Sequence, residues 1–291
     1  MTFQETFFGT KPVPTVSASS SKGLSRIYAT IMKPDIMAPG VLILAPMPPN
    51  EPEVQLGSNI FITTDYTLMS GTSMACPHVS GIAALLKAAH PEWSLSAIRS
   101  AMMTMANTID KTGSPIKDTG FDYSVATPLD MGAGFVDPNR ALNPGLVYDA
   151  TPQDYVNLVC SMNFTRAKTQ DITRLANNNC SNPSSDFNYP SFIVIYDLER
   201  SRRLVKRFRR TVTNVGEGAT TYRAKLAAPA NATLTISPNT LRFGQTNEKQ
   251  SYTLTVNYRS PNYFSVNHGS LTWVEDNGKN SVRSRGDCTK P

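Results

Sequence analysis

The sequence has few of the residues that build metal sites and disulfide scaffolds. Its 291 residues include four cysteines, Cys76, Cys160, Cys180 and Cys288, and three histidines, His78, His90 and His268. No two cysteines share the Cys-x-x-Cys spacing of a zinc site, and four thiols cannot hold a chain of this length together through disulfides alone. Neither a metal nor a cofactor is implied. No segment approaches the roughly 18 consecutive apolar residues that a membrane span requires. Met1 to Thr10 has neither the basic start nor the apolar stretch of a secretory leader. With 40% apolar and 17% charged residues, the chain reads as an ordinary globular protein long enough for two domains.

Charge is uneven within a modest net of +6. Seven of the eleven residues from Arg200 to Arg210 are basic (Arg200, Arg202, Arg203, Lys206, Arg207, Arg209 and Arg210). Leu204, Phe208 and Val212 recur on one side of the same stretch, so the charges are expected to decorate an exposed strand. No nucleic-acid-binding motif accompanies them, and no nucleic-acid partner is expected.

One stretch combines an abrupt change of period with a reactive side chain. Tyr66 to Met69 reads as a short strand, Ser70-Gly71-Thr72 as a turn and Val79 to Ala89 as an apolar helix. Ser73 falls at or near the start of that helix. There the unpaired N–H groups and the positive end of the helix dipole can stabilise an oxyanion beside an attacking hydroxyl. Pro77, which has no N–H to donate, suits only the beginning of a helix. The spacing alone equally allows a serine that caps a core helix and does no chemistry.

Gly71-Thr72-Ser73-Met74-Ala75-Cys76-Pro77-His78 resembles the nucleophile signature of the subtilisin-like serine proteases in their plant form, the subtilases. The resemblance extends to Phe8-Gly9-Thr10-Lys11-Pro12, Lys33-Pro34-Asp35-Ile36-Met37-Ala38-Pro39-Gly40, Asp130-Met131-Gly132-Ala133-Gly134 and Thr211-Val212-Thr213-Asn214-Val215-Gly216. It covers nearly the whole chain and matches the C-terminal part of that family. It implies an acyl-enzyme on Ser73, peptide or protein substrates, a Cys160–Cys180 disulfide and an extracellular location in the apoplast or cell wall. Asn163, Asn179 and Asn231 open glycosylation sequons that fit such a lineage. Ser19, Lys22 and Leu24 depart from the phenylalanine, arginine and proline of the family pattern, which brings local packing into question.

The expected architecture is α/β: the C-terminal portion of a subtilisin-like parallel-sheet catalytic domain over residues 1–145, a helical linker over 146–186, and a fibronectin type-III-like β-sandwich over 187–291. Met1 to Val16 suggests a strand ending in a proline-punctuated segment. Val41 to Ala45 suggests a buried parallel strand, and Ser94 the cap of a helix over Leu95 to Ala106 with Met102 and Met105 as core filler. Thr127 to Pro144 reads as turns. Thr151-Pro152-Gln153-Asp154 reads as a helix start. Six β-rich runs from Phe192 to Val274 suggest the sandwich. Cys76 is expected as a buried free thiol, and the polar tail from Val282 to Pro291 as a shifted or truncated end.

The chemistry is incomplete on paper. A serine needs an imidazole to take its proton and a carboxylate to hold that imidazole. His78 lies about 500° around the helix from Ser73, His90 ends the helix, and His268 belongs to the sandwich. Asp35 resembles a structural aspartate. Subtilisin-like enzymes carry Asp, then His, then Ser along the chain, so the resemblance implies that the triad Asp and His, with the oxyanion asparagine, lie upstream of a truncated chain. Only the Ser73 N–H is left as an oxyanion donor, and the isolated chain is expected to be inactive. Two other readings compete: a non-catalytic protein- or glycan-interaction module derived from a subtilase, and an α/β-hydrolase built on Gly71-x-Ser73. The second lacks the elbow glycine, because position 75 is Ala. Oligomeric state is not legible.

Overall fold

A computed structural model of the chain describes residues 12–25, 28–48, 50–196, 203–259 and 266–289. The Phe8 to Lys11 motif, most of the strand expected over Met1 to Val16, and Arg200 and Arg202 of the basic run lie outside the described residues.

The first half is assembled from short elements. Strand β1 (Thr15–Val16) is followed by β2 (Ile43–Pro46), β3 (Val54–Leu56), β4 (Ile60–Ile62) and β5 (Tyr66–Met69), then helices α1 (Thr72–Ala89) and α2 (Leu95–Met105). Strands β6 (Lys117–Asp118) and β7 (Ser124–Val125) and helices α3 (Pro128–Met131) and α4 (Pro138–Ala141) complete it. Thr127 to Pro144 therefore holds two short helices where turns were expected. Pairing is mixed: β1 and β6 are parallel, whereas β2–β5, β3–β4 and β6–β7 are antiparallel.

The expectation of a buried parallel strand at Val41 to Ala45 is corrected. Strand β2 is antiparallel to β5, and Val41, Leu42 and Leu44 are 55%, 68% and 66% exposed. An apolar run identifies a surface that should be covered but not the chain segment that covers it.

Helix α2 shows the opposite case. Ser94 Oγ accepts from the Ala97 N–H at 3.0 Å, and nine of the eleven helical residues are buried. Met102, Met105, Ala97 and Ala101 join one apolar core with Val212, Leu254, Trp273 and Val282 of the second half. The core thus crosses from the helices into the sandwich.

Strand β8 (Leu146–Tyr148) pairs with the second half, and helices α5 (Pro152–Cys160) and α6 (Arg166–Thr173) follow it. Thr151 and Asp154 form a reciprocal capping box at the start of α5. The remaining strands are β9 (Ser191–Ile195), β10 (Arg203–Asn214), β11 (Thr220–Ala227), β12 (Ala232–Ser237), β13 (Thr240–Phe243), β14 (Lys249–Arg259), β15 (Asn267–Glu275) and β16 (Ser281–Thr289). They form two sheets ordered β12-β14-β10-β8 and β13-β11-β15-β16-β9, the facing layers of a sandwich.

The tail expectation is corrected here. Residues up to Thr289 form β16, antiparallel to β15 and parallel to β9. Backbone hydrogen bonding on both sides holds this polar segment in a central position.

Candidate active site

A strand ladder and two hydrogen bonds fix the turn that carries Ser73. Strand β5 is tied to β2 through the register Tyr66↔Pro46 to Met69↔Ile43. The Leu42 N–H donates to Ser70 Oγ at 2.8 Å, and the Gly71 N–H donates to the Gly40 carbonyl at 2.7 Å. A Cβ on Gly40 would lie 2.9 Å from the Gly71 carbonyl oxygen and 3.2 Å from Ala75 Cβ, so only glycine lets the two segments approach this closely.

Helix α1 begins at Thr72, earlier than the Val79 start read from the sequence, and Ser73 is its second residue. The N–H groups of Met74 and Ala75 turn back to the Gly71 carbonyl at 3.0 and 3.4 Å. Among the described residues, the Ser73 N–H has no backbone acceptor, and its side chain is exposed. Pro77 lies inside the helix, where it leaves the Ser73 carbonyl without its helical donor.

No imidazole reaches the serine. His78 Nδ1 bonds to the Met74 carbonyl at 2.8 Å. His90 Nε2 bonds to the Leu142 carbonyl at 2.9 Å, and its ring stacks on Trp93 at 3.9 Å. His268 sits on β15, where burial and the neighbouring Arg285 charge lower its pKa. Asp35 is held by Lys33 Nζ at 2.7 and 2.8 Å and by the Tyr189 hydroxyl.

Little covers this region. In α1, which is apolar over most of its length, only Leu86 is buried, and Leu85 is 67% exposed. Every residue of β3 and β4 is exposed. A helix apolar on nearly all sides belongs in a protein interior. Cys76 is exposed for the same reason, which corrects the expected buried thiol.

The other candidate positions lie apart. Cys160 and Cys180 form a disulfide with their Cα atoms 5.7 Å apart, tying the end of α5 to the loop after α6. Asn163, Asn179 and Asn231 are all exposed, with Asn163 and Asn231 at φ 55° and 60°. Among the described residues, no group of acidic, histidine and cysteine side chains could hold a metal. None of the described helices is long and apolar enough to cross a membrane.

The departure at Lys22 is accommodated. Its ammonium bridges the buried Asp118 and reaches Asp130 at 3.5 Å, while lying 5.4 Å from the centre of the Phe121 ring. The sequence reading missed the supports of the Ser73 turn, Gly40 and Ser70. Their sequence signal was that Gly40 closes the Lys33 to Gly40 motif and Ser70 opens the Ser70-Gly71-Thr72 turn.

Residues 10–128 match the model of the Subtilase family, and residues 186–285 match that of the Fibronectin type-III domain. The chain is 63% identical over 286 residues to Subtilisin-like protease SBT3 of Solanum lycopersicum, covering 98% of this chain and 38% of that protein. It is 40% identical over 294 residues to Subtilisin-like protease SBT1.5 of Arabidopsis thaliana (97% and 37%), and 42% identical over 285 residues to SBT1.7 of the same plant (96% and 36%). The chain thus spans less than two-fifths of the length of these relatives.

Proposed function

Since the chain belongs to the subtilase family, we propose that Ser73 is the nucleophile of a serine endopeptidase and that these 291 residues supply only the nucleophile's share of the site. The observation that carries this reading is the exposed Ser73 on a braced strand-to-helix turn, with its own N–H unpaired.

In the proposed chemistry, Ser73 Oγ attacks the carbonyl carbon of a peptide bond while an imidazole from outside these residues takes the hydroxyl proton. The Ser73 N–H donates to the oxyanion that forms. The C–N bond then breaks, the imidazolium returns its proton to the leaving amine, and water hydrolyses the resulting ester. None of the three histidines present serves as that base, because His78 and His90 bond to carbonyls and His268 lies on a sandwich strand. The chain alone is therefore inactive in this reading. The absence of a base costs dearly: in subtilisin itself, loss of the histidine lowers kcat about a millionfold.

The same reading divides the chain into a peptidase part (1–145), a linker (146–186) whose opening residues Leu146–Tyr148 add strand β8 to the sandwich, and a sandwich domain (187–291). It also assigns protein substrates and an extracellular site of action. The Cys160–Cys180 disulfide supports an oxidising compartment, and the exposed sequons at Asn163, Asn179 and Asn231 are consistent with it.

A fluorophosphonate probe tests the proposal in two steps. The full chain should label only at background rate. Co-expression with the upstream segment of a close relative should give rapid labelling and peptide hydrolysis, both abolished by Ser73→Ala. Rapid stoichiometric labelling of the chain alone would overturn its inactivity. An assembled complex without Ser73-dependent hydrolysis would overturn the role of Ser73 and favour a non-catalytic interaction module.

A further inference from the structure

The outer face of the sheet formed by β12, β14 and β10 carries an unbalanced positive charge. Along β10 the side chains alternate: Phe208 and Arg210 are buried on the inner side, while Arg207 and Arg209 are exposed on the outer. Across the ladder Arg207 faces Thr255, Arg209 faces Thr253 and Arg259 faces Arg203. The next strand continues the face, with Thr235 opposite Thr255.

On this side of the three strands every position is basic, hydroxyl-bearing or amide, apart from Val205; none is acidic and none is aromatic. Among the described residues, Arg207, Arg209 and Arg259 form no ion pair. Three carboxylates line a cleft with Arg209, Thr211 and Lys249, and each is already engaged: Asp186 by the buried Arg210 guanidinium and the Arg209 N–H, Asp149 by Ser94 and the Ala150 N–H, and Asp154 by Thr151.

Like charges placed directly opposite on neighbouring strands repel, and Arg259 stands opposite Arg203 at one end of the face. Alternate residues along a strand stand about 6.8 Å apart and neighbouring strands about 4.8 Å apart. Arg207 and Arg209 therefore stand at successive outward positions of one strand, beside the threonines of the next. Guanidinium forks match carboxylates bidentately, and the rows of threonine hydroxyls suit a partner rich in hydroxyl groups. The lack of an aromatic platform disfavours single-stranded nucleic acid, whose sequence-tolerant binding draws on base stacking.

We propose that this face binds an acidic polysaccharide, a polymer carrying carboxylates and hydroxyls on successive sugars. The site is independent of Ser73 and of proteolysis.

The test is binding of the full chain to immobilised polygalacturonate, with its fully methyl-esterified form and poly(U) RNA as controls. The chain should be retained on polygalacturonate at low salt and released as salt rises. The triple variant Arg207→Ser, Arg209→Ser, Arg259→Ser should weaken binding at least tenfold, while the corresponding lysine triple, which keeps the charge and loses the forks, should fall between the parent and the serine triple. Arg223→Ser, on the opposite sheet and paired with Asp276 at 2.8 Å, should leave binding unchanged. Thermal unfolding of each variant separates loss of the face from loss of the fold. Equal binding by a folded serine triple, or equal retention on the methyl-esterified polymer, would overturn the proposal, as would tighter binding to poly(U). No binding to polygalacturonate at low salt would overturn it too.

Discussion

Asp287 lies directly opposite His268 across the β15–β16 ladder, buried to 1% exposure, with neither carboxylate oxygen in a hydrogen bond. Burial pushes its pKa up to about 7, with Arg285 on the same strand opposing and the Asp130 charge from α3 adding to the rise. Arg285 is itself half-buried, with its Nε unpaired. The neighbouring Cys288 thiol is pushed up to about 12 by burial and by Asp287.

The folded chain therefore holds the Asp287 proton more tightly than the unfolded chain, whose ordinary value is 3.8. Below that value the group is neutral in both states and adds no pH dependence. Stability then falls as pH rises from about 4 to about 7, by about 4 kcal/mol in all, and is level above. Thermal melts at pH 5 and pH 8 should show the parent losing roughly 5 °C. Asp287→Asn should flatten that difference, and an identical pH profile in the variant would refute the assignment.

Removal of the Asp186 carboxylate should be costly. Arg210 is 4% exposed, pairs with Asp186, donates to the Tyr189 carbonyl at 2.9 Å and lies between the Phe192 and Phe208 rings at 5.1 and 5.4 Å. Asp186→Asn leaves a buried cation with carbonyl partners only. A loss of about 3 kcal/mol is expected, read from the urea midpoint of Trp273 fluorescence; a change below about 0.5 kcal/mol would show the pair to be dispensable.

The two free thiols should behave oppositely. Cys76 is exposed on α1 and Cys288 is buried in β16. Under native conditions iodoacetamide should modify Cys76 within minutes and spare Cys288 until denaturant is added. Protection of Cys76 would mean that something covers α1 in solution.

Limited proteolysis should first cut between residues 41 and 69, where β3, β4 and most of β5 are exposed. The resistant fragment should begin near Trp93, because α2 shares one core with both sheets and Arg283 donates to the Ala106 carbonyl at 2.6 Å. Hydrogen exchange should protect α2 as strongly as β10 and β14. Cleavage between α2 and β8 at the rate seen in the 41–69 region would contradict the shared core.

Much of the architecture was legible because it rests on local rules. The serine cap of α2, the capping box of α5, the strand alternation of β10 and β14 and the Ser73 turn each depend on residues close in sequence. Gly71 to His78 carried the resemblance, and the family match extends that resemblance over residues 10–128.

Long-range packing decided the rest. Val41 to Ala45 and Cys76 read as interior because they are apolar or lie on an apolar helix, yet both are exposed, because burial depends on what is packed against a segment. The tail from Val282 read as an end because it is polar. It becomes a central strand because β9 and β15 satisfy its backbone on both sides, and that placement buries Asp287. The sequence by itself determined most element types and the placement of Ser73 where a strand turns into a helix. Only the tertiary structure decided which apolar surfaces are covered and that Arg210 is buried against Asp186 while Arg207 and Arg209 face outward, since those outcomes depend on segments brought together from distant parts of the chain.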